Sequence, residues 1–198
     1  TLHAEPVARD KRMRTMGRQI YAFGVAHEMG WNGPALDLIE HGIRFIEKHG
    51  RSKNGGWVRT LGVDGSVADS AEDAYDHSCI LLALAFALKA GHKDAARLGS
   101  ETFAFIDRHL SADGGASFLE TSQGGNPRRS NPHMHLFEAF LAWHKVTGEA
   151  AYLARATKIA NLFAARFFDP DTWTLGEYFE SDWLPAAGDK GTWTEPGH

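Results

Sequence analysis

Cysteine is nearly absent from this chain: Cys79 stands alone among 198 residues, so no disulfide framework holds the fold and a reducing compartment is the natural reading. Long apolar runs are absent as well. The longest, Cys79 to Leu88, falls well short of the roughly 20 residues that a membrane helix needs, and no apolar signal segment opens the chain. The expected setting is therefore cytoplasmic, with no membrane partner. Charge of one sign is not in excess either, since 21 Lys and Arg against 25 Asp and Glu leave a net charge of −4. That balance argues against a nucleic-acid partner, although Arg9, Lys11, Arg12, Arg14 and Arg18 make one short basic stretch. What the chain does have is an ordinary globular composition, 43% hydrophobic, with 11% aromatic residues and 11 histidines. Aromatic and imidazole side chains in that number suit a site that handles a small polar ring.

The chain repeats itself at a period near sixty residues. Apolar stretches at Ile20 to Ala26, Ile80 to Leu88 and Leu136 to Trp143 end at Gly30, Gly91 and Gly148, each placed as a helix-stop glycine. A second, charge-bearing stretch follows each glycine and closes on related strings: Phe45-Ile-Glu-Lys-His49, Phe105-Ile-Asp-Arg-His109 and Phe163-Ala-Ala-Arg-Phe167. Glycine-rich segments with an aromatic come next, and Asp64-Gly65 reads as a hairpin turn. Each unit is thus helix, helix, short hairpin. The first helix of a unit is almost wholly apolar and the second amphipathic, a contrast that predicts an inner layer buried on all sides and an outer layer around it. Pairs of this kind bury their cores only by stacking on neighbours, which gives an all-α toroid of inner and outer helices. Three pairs span an arc, so residues 1–198 read as a single partial domain that lacks an N-terminal helix and the closing helices. A compact bundle of three pairs is the alternative.

In a toroid the residues that open the inner helices face one end of the central hollow. Arg18, His77, His135 and His198 recur there at spacings of 59, 58 and 63. Imidazole titrates nearest neutral pH, so histidines gathered at one rim are ready proton carriers, and His135 and His198 carry the expectation of catalysis. Glu138 lies one turn beyond His135 on the same helix face, where it orients the imidazole or caps a polar patch. Asn131 either caps its helix or touches a ligand. His133 and His135 form a His-x-His pair, yet positions two apart on a helix face different ways, so a shared metal requires extended chain and no metal is expected. His77 and His133 are read as structural or supporting groups. His27, His41, His92, His109 and His144 are read as surface residues.

The string Arg128-Arg-Ser-Asn-Pro-His-Met-His-Leu-Phe-Glu-Ala139 resembles the signature of the N-acylglucosamine 2-epimerase family, which includes mannose isomerases, sulfoquinovose isomerase and cellobiose 2-epimerase. Arg18-Gln-Ile-Tyr21, Tyr75-Asp-His-Ser78, Arg166-Phe-Phe-Asp169 and Glu195-Pro-Gly-His198 extend the similarity along the chain. The resemblance implies an (α/α)6 barrel that interconverts sugars through an enediol without metal or other cofactor. It assigns the general acid/base to His198 and assisting proton transfer to His135, with Arg18, Tyr75 and Asn131 touching the sugar. It also implies a second general acid/base histidine nearer the C-terminus, for which these 198 residues have no counterpart. The Asn-Pro-His-Met-His form is nearer the mannose-isomerase branch, so aldose–ketose isomerisation of a monosaccharide is expected ahead of 2-epimerisation. Two other readings are an α/α-toroid glycoside hydrolase using Asp73 and Glu138, and a noncatalytic sugar-binding protein. The basic stretch with Arg128 and Arg129 raises the option of an anionic sugar.

Overall fold

The computed structural model of the protein describes residues 8–186. Among these residues, six α-helices form three consecutive pairs: α1 (Met13–Glu28) with α2 (Ala35–His49), α3 (Ala74–Lys89) with α4 (Ala95–Phe105), and α5 (Ser130–Thr147) with α6 (Ala150–Leu162). Short loops of two to six residues join the members of each pair, which turns the second helix back along the first. The stops are glycines because the chain must turn left-handed there. Gly30, Gly91 and Gly148 sit at φ of +79°, +87° and +75°.

Helix α3 packs between α1 and α5, while α2, α4 and α6 each lie behind their own partner. This is the two-layered arc expected from the alternation of apolar and amphipathic stretches. One expectation needs correction. Only α3 is buried on all sides, with 13 of its 16 residues inaccessible. Helix α1 buries just Met13, Gly17, Ile20 and Gly24, because an end member of the arc has a neighbour on one flank alone. Its glycines allow the helices to come close: a Cβ on Gly17 would lie 2.8 Å from the Cys79 carbonyl oxygen. A single apolar cluster runs through all three pairs, from Met13 and Ile43 through Leu84 to Phe140 and Ile159.

Hairpins follow each outer helix. Thr60–Leu61 pairs antiparallel with Val67–Asp69, Ser111–Ala112 with Ser117–Phe118, and Phe168–Asp169 with Thr174–Leu175. The turn of the first holds Gly65 at φ +86°, and Asp64 Oδ1 accepts the Ser66 N–H at 3.0 Å, as the Asp-Gly dipeptide predicts. Two further strands, Lys11–Arg12 and Arg128–Arg129, run straight into α1 and α5 and pair with Thr60–Leu61 and Tyr178–Phe179. They fix where those inner helices begin. Helices α4 and α6 run on into π-helical turns at Ile106–Leu110 and Phe163–Phe167.

Buried histidines lock hairpin to inner helix. His77 Nδ1 donates to the Asp73 carbonyl at 2.8 Å, and its Nε2 accepts the Trp57 N–H at 3.0 Å. His133 repeats the device with the Arg129 carbonyl at 2.9 Å and the Phe118 N–H at 2.9 Å. A backbone N–H aimed at Nε2 requires a lone pair there, so both rings are neutral with the proton on Nδ1. Burial holds both well below the ordinary histidine value, at about 4.

Candidate active site

Counting from the first residue of each inner helix, Met13, Ala74 and Ser130, gives the true repeat offsets, 61 and 56. The sixth positions are then Arg18, Cys79 and His135, and the ninth are Tyr21, Leu82 and Glu138. Those six residues, with Ser78, line one cavity of about 320 Å³. Sixth and ninth positions are one turn apart on a helix, so each inner helix presents the same short stripe to a common hollow.

The sequence spacing placed His77 in this series, and that placement is wrong. Offsets of 59 and 58 reach from Arg18 to His135 correctly, since they have the same total as 61 and 56, but they land two residues early in the middle helix. The segments joining the pairs differ in length, so an even spacing fails there. Cys79 occupies the middle place, with burial raising its thiol to about 11. Tyr21, Ser78, Cys79 and Leu82 were not singled out from sequence; Tyr21 stands to Arg18 as Glu138 stands to His135, a relation that would have found it.

Tyr75 joins the two ends of the site. Arg18 Nη2 donates to its phenol oxygen, and the Arg18 guanidinium lies 5.3 Å from the ring centroid. On the α5 side the His135 ring lies 4.8 Å from the Tyr75 ring at 36° between planes. His135 Nδ1 is in turn 3.4 Å from Glu138 Oε2. Burial pushes the Tyr75 phenol above its ordinary value, against the pull of Arg18 and Arg14. Arg18, Tyr75, His135 and Glu138 are therefore brought together. Asn131 is placed elsewhere, half-buried in a small pocket with Ser130, Met134 and Glu177, and it does not cap α5 with its side chain. His198 lies outside the described residues.

Several alternatives lose their residues to the fold. Asp73 Oδ1 accepts the Tyr75 and Asp76 N–H groups as the N-cap of α3, and Oδ2 takes Arg59 at 3.1 Å, so it is not poised beside a glycosidic bond. The His-x-His rings face different layers: His133 engages backbone with both nitrogens, and His135 faces Tyr75. Among the described residues no group of three or more His, Cys, Asp or Glu is arranged to hold a metal ion. Arg129 is paired with Glu120 at 2.7 Å, and Arg128 reaches Asp113 and lies 4.8 Å from the Trp183 ring, so neither is a free anion receptor. His92 is not a surface residue; its ring is largely buried against Glu40 at 2.9 Å.

A guanidinium, a phenol and an imidazole–carboxylate pair facing a thiol and a leucine make a polar pocket with one apolar wall. Such a pocket can orient hydroxyl groups, carry a proton on imidazole, and stabilise charge developing on a substrate oxygen. The family model described as N-acylglucosamine 2-epimerase matches residues 1–198. The chain belongs to the N-acylglucosamine 2-epimerase family. It is 34% identical over 202 residues to the mannose-6-phosphate isomerase of Rhizobium meliloti, covering 100% of this chain and 52% of that protein. It is also 34% identical over 176 residues to the D-mannose isomerase of Thermobifida fusca, covering 86% of this chain and 43% of that protein. The chain thus spans about half the length of these family relatives. The cellobiose 2-epimerase of Spirochaeta thermophila superposes with a TM-score of 0.84 at 20% identity, over 91% of this chain and 49% of that one. That likeness places the three helical pairs as part of an (α/α)6 barrel of the kind the family shares. No helix among the described residues is long and apolar enough to cross a membrane.

Proposed function

We propose that the whole protein is a sugar isomerase that interconverts an aldose and a ketose of the mannose–fructose type by histidine acid/base transfer through an enediol. In this reading a base-form imidazole removes the C2 proton of the open-chain sugar. The C2–H electron pair forms the C1–C2 double bond as the C1 carbonyl oxygen becomes the oxyanion; a proton passes from the C2 hydroxyl to O1, and the carbon-bound proton returns to C1 to give the ketose. His198 and His135 carry the proton transfers, Arg18 holds the developing oxyanion, and Tyr75 and Glu138 orient hydroxyl groups; Asn131, in its separate pocket, is left out of the sugar contacts. One acid/base group contributes roughly 10²–10⁴-fold, so two histidines with a fixed guanidinium are chemically sufficient.

The observation that carries the reading is the convergence of Arg18, His135 and Glu138 on one cavity, with Tyr75 bridging Arg18 and His135 beside it, in a chain whose family relatives include named mannose isomerases. The test is incubation of the full-length protein with mannose, and separately with mannose 6-phosphate, in deuterium oxide. Ketose as the main product is the expected result. The family description favours one second reading, 2-epimerisation, in which the proton returns to the opposite face of C2. An epimer deuterated at C2, formed with no ketose, would establish that reading and remove the first.

A further inference from the structure

One buried carboxylate near the cavity has no counterpart in the other repeats. Asp76 is fully buried in the first turn of α3, where α1 has Thr15 and α5 has Pro132 at the matching positions. Both of those helices form without an acid there, so the fold does not demand one. Its Oδ1 accepts two bonds from a single residue of α1, the Arg14 N–H and the Arg14 Nε–H, each at 3.0 Å. Helix α1 has no side-chain cap of its own, so Asp76 caps it from the neighbouring repeat. Oδ2 has no hydrogen-bond partner among the described residues. A carboxylate kept half-satisfied away from water is costly, and here the cost is met at the edge of the candidate active site.

The consequence reaches the site through Arg14. Held by Asp76, the Arg14 guanidinium lies 5.0 Å from the Tyr75 ring centroid, close to the 5.3 Å of Arg18, which bonds the phenol oxygen. We propose that Asp76 is a positioning residue: by fixing Arg14 against Tyr75 it sets the phenol on which Arg18 is aligned. The inference rests on the sugar-site reading of the cavity. The charged groups facing Asp76 are Arg14 from α1 and Asp73 from the start of its own helix, the latter paired with Arg59.

The decisive measurement is the ionisation of Tyr75 itself, read as the ultraviolet titration difference between each full-length protein and the same protein carrying Tyr75→Phe. Asp76→Asn keeps an oxygen for the Arg14 N–H but loses the charge that holds the guanidinium. If Arg14 leaves the ring, the Tyr75 midpoint rises, because a nearby cation that favours phenolate has gone. If Arg14 stays, loss of the Asp76 charge alone lowers the midpoint. A rise, with kcat down about tenfold and KM within about threefold, is expected. Asp76→Glu, which restores the charge, recovers part of both. Arg14→Lys keeps the backbone N–H and a positive charge but loses the Nε–H bond; it gives the same fall in kcat and stands in if Asp76→Asn does not fold. A lowered or unchanged midpoint, or an unchanged kcat, overturns the proposal. If the unmodified full-length protein converts no aldose, the sugar reading fails while the Tyr75 midpoint still decides the role of Asp76.

Discussion

His133 and His135 are two residues apart and have opposite fates, which makes them the sharpest single-residue comparison in the molecule. His133 is fully buried and holds the Phe118 N–H and the Arg129 carbonyl; His135 is partly open and faces Tyr75. Replacing His133 with alanine strands the buried Phe118 N–H, removes a bond to the Arg129 carbonyl and leaves a cavity, and the expected loss is ~2–5 kcal/mol of stability. Replacing His135 with glutamine leaves backbone pairing alone, and the expected loss is ~10²–10⁴-fold in kcat with stability nearly unchanged. Thermal unfolding and steady-state kinetics on the two full-length variants check both. Equal falls in activity per folded molecule would show that His135 has no part in proton transfer. Sequence separated these neighbours correctly, because helical geometry sends positions two apart to different faces. It misplaced His77 because residue type and even spacing cannot register a change in loop length.

At the scale of elements, most of what the sequence predicts is present: three helix pairs, glycine stops, the Asp64-Gly65 hairpin, and a central apolar helix. Those signals are local, carried by hydropathy period and turn chemistry. The docking of one helix on another is not local, and Gly99 with Trp143 shows why. The Trp143 indole crosses from α5 to donate to the Leu81 carbonyl in α3 at 2.7 Å, and a Cβ on Gly99 in α4 would stand 2.0 Å from its ring. Neither residue announces the other in sequence. Gly99→Ala is expected to destabilise the protein by ~1–3 kcal/mol through overpacking, despite the higher helix propensity of alanine. Trp143→Phe shortens the ring and loses the indole donor, so it destabilises alone, yet combined with Gly99→Ala it costs less than the sum. A double-mutant cycle by chemical denaturation measures the coupling, and simple additivity would show that the two do not meet. Capping is tested by Asp73→Ala, which removes two N-cap bonds and the Arg59 pair and is expected to lower stability by ~1–2 kcal/mol.

For the whole molecule, the buried groups combine into a definite dependence of stability on pH. His77 and His133 titrate at about 4 when folded, against an ordinary value of 6.5 that the unfolded chain keeps. Between those values the unfolded state binds two protons that the folded state refuses, so each histidine removes ~1.4 kcal/mol of stability per unit as pH falls through the window. Asp76 works the other way. Burial, with Asp73 nearby, raises it to about 6 against an ordinary 3.8, so the folded state takes up a proton between those values before the unfolded state does. Acidification therefore relieves one charge while it strains two imidazoles, and Glu120, raised by burial, adds to the relief. From pH 6 to 4 the net is at most one proton favouring the unfolded state, a slope of up to ~1.4 kcal/mol per unit, appreciable beside the ~5–15 kcal/mol of a typical domain. Urea midpoints of the full-length protein are expected to fall steadily from pH 6.5 to 4.5. Asp76→Asn deletes the offsetting group, and the slope should approach two protons. A midpoint that is flat or rises on acidification would mean that the imidazoles accept protons in the folded state, which the backbone N–H groups aimed at both Nε2 atoms forbid.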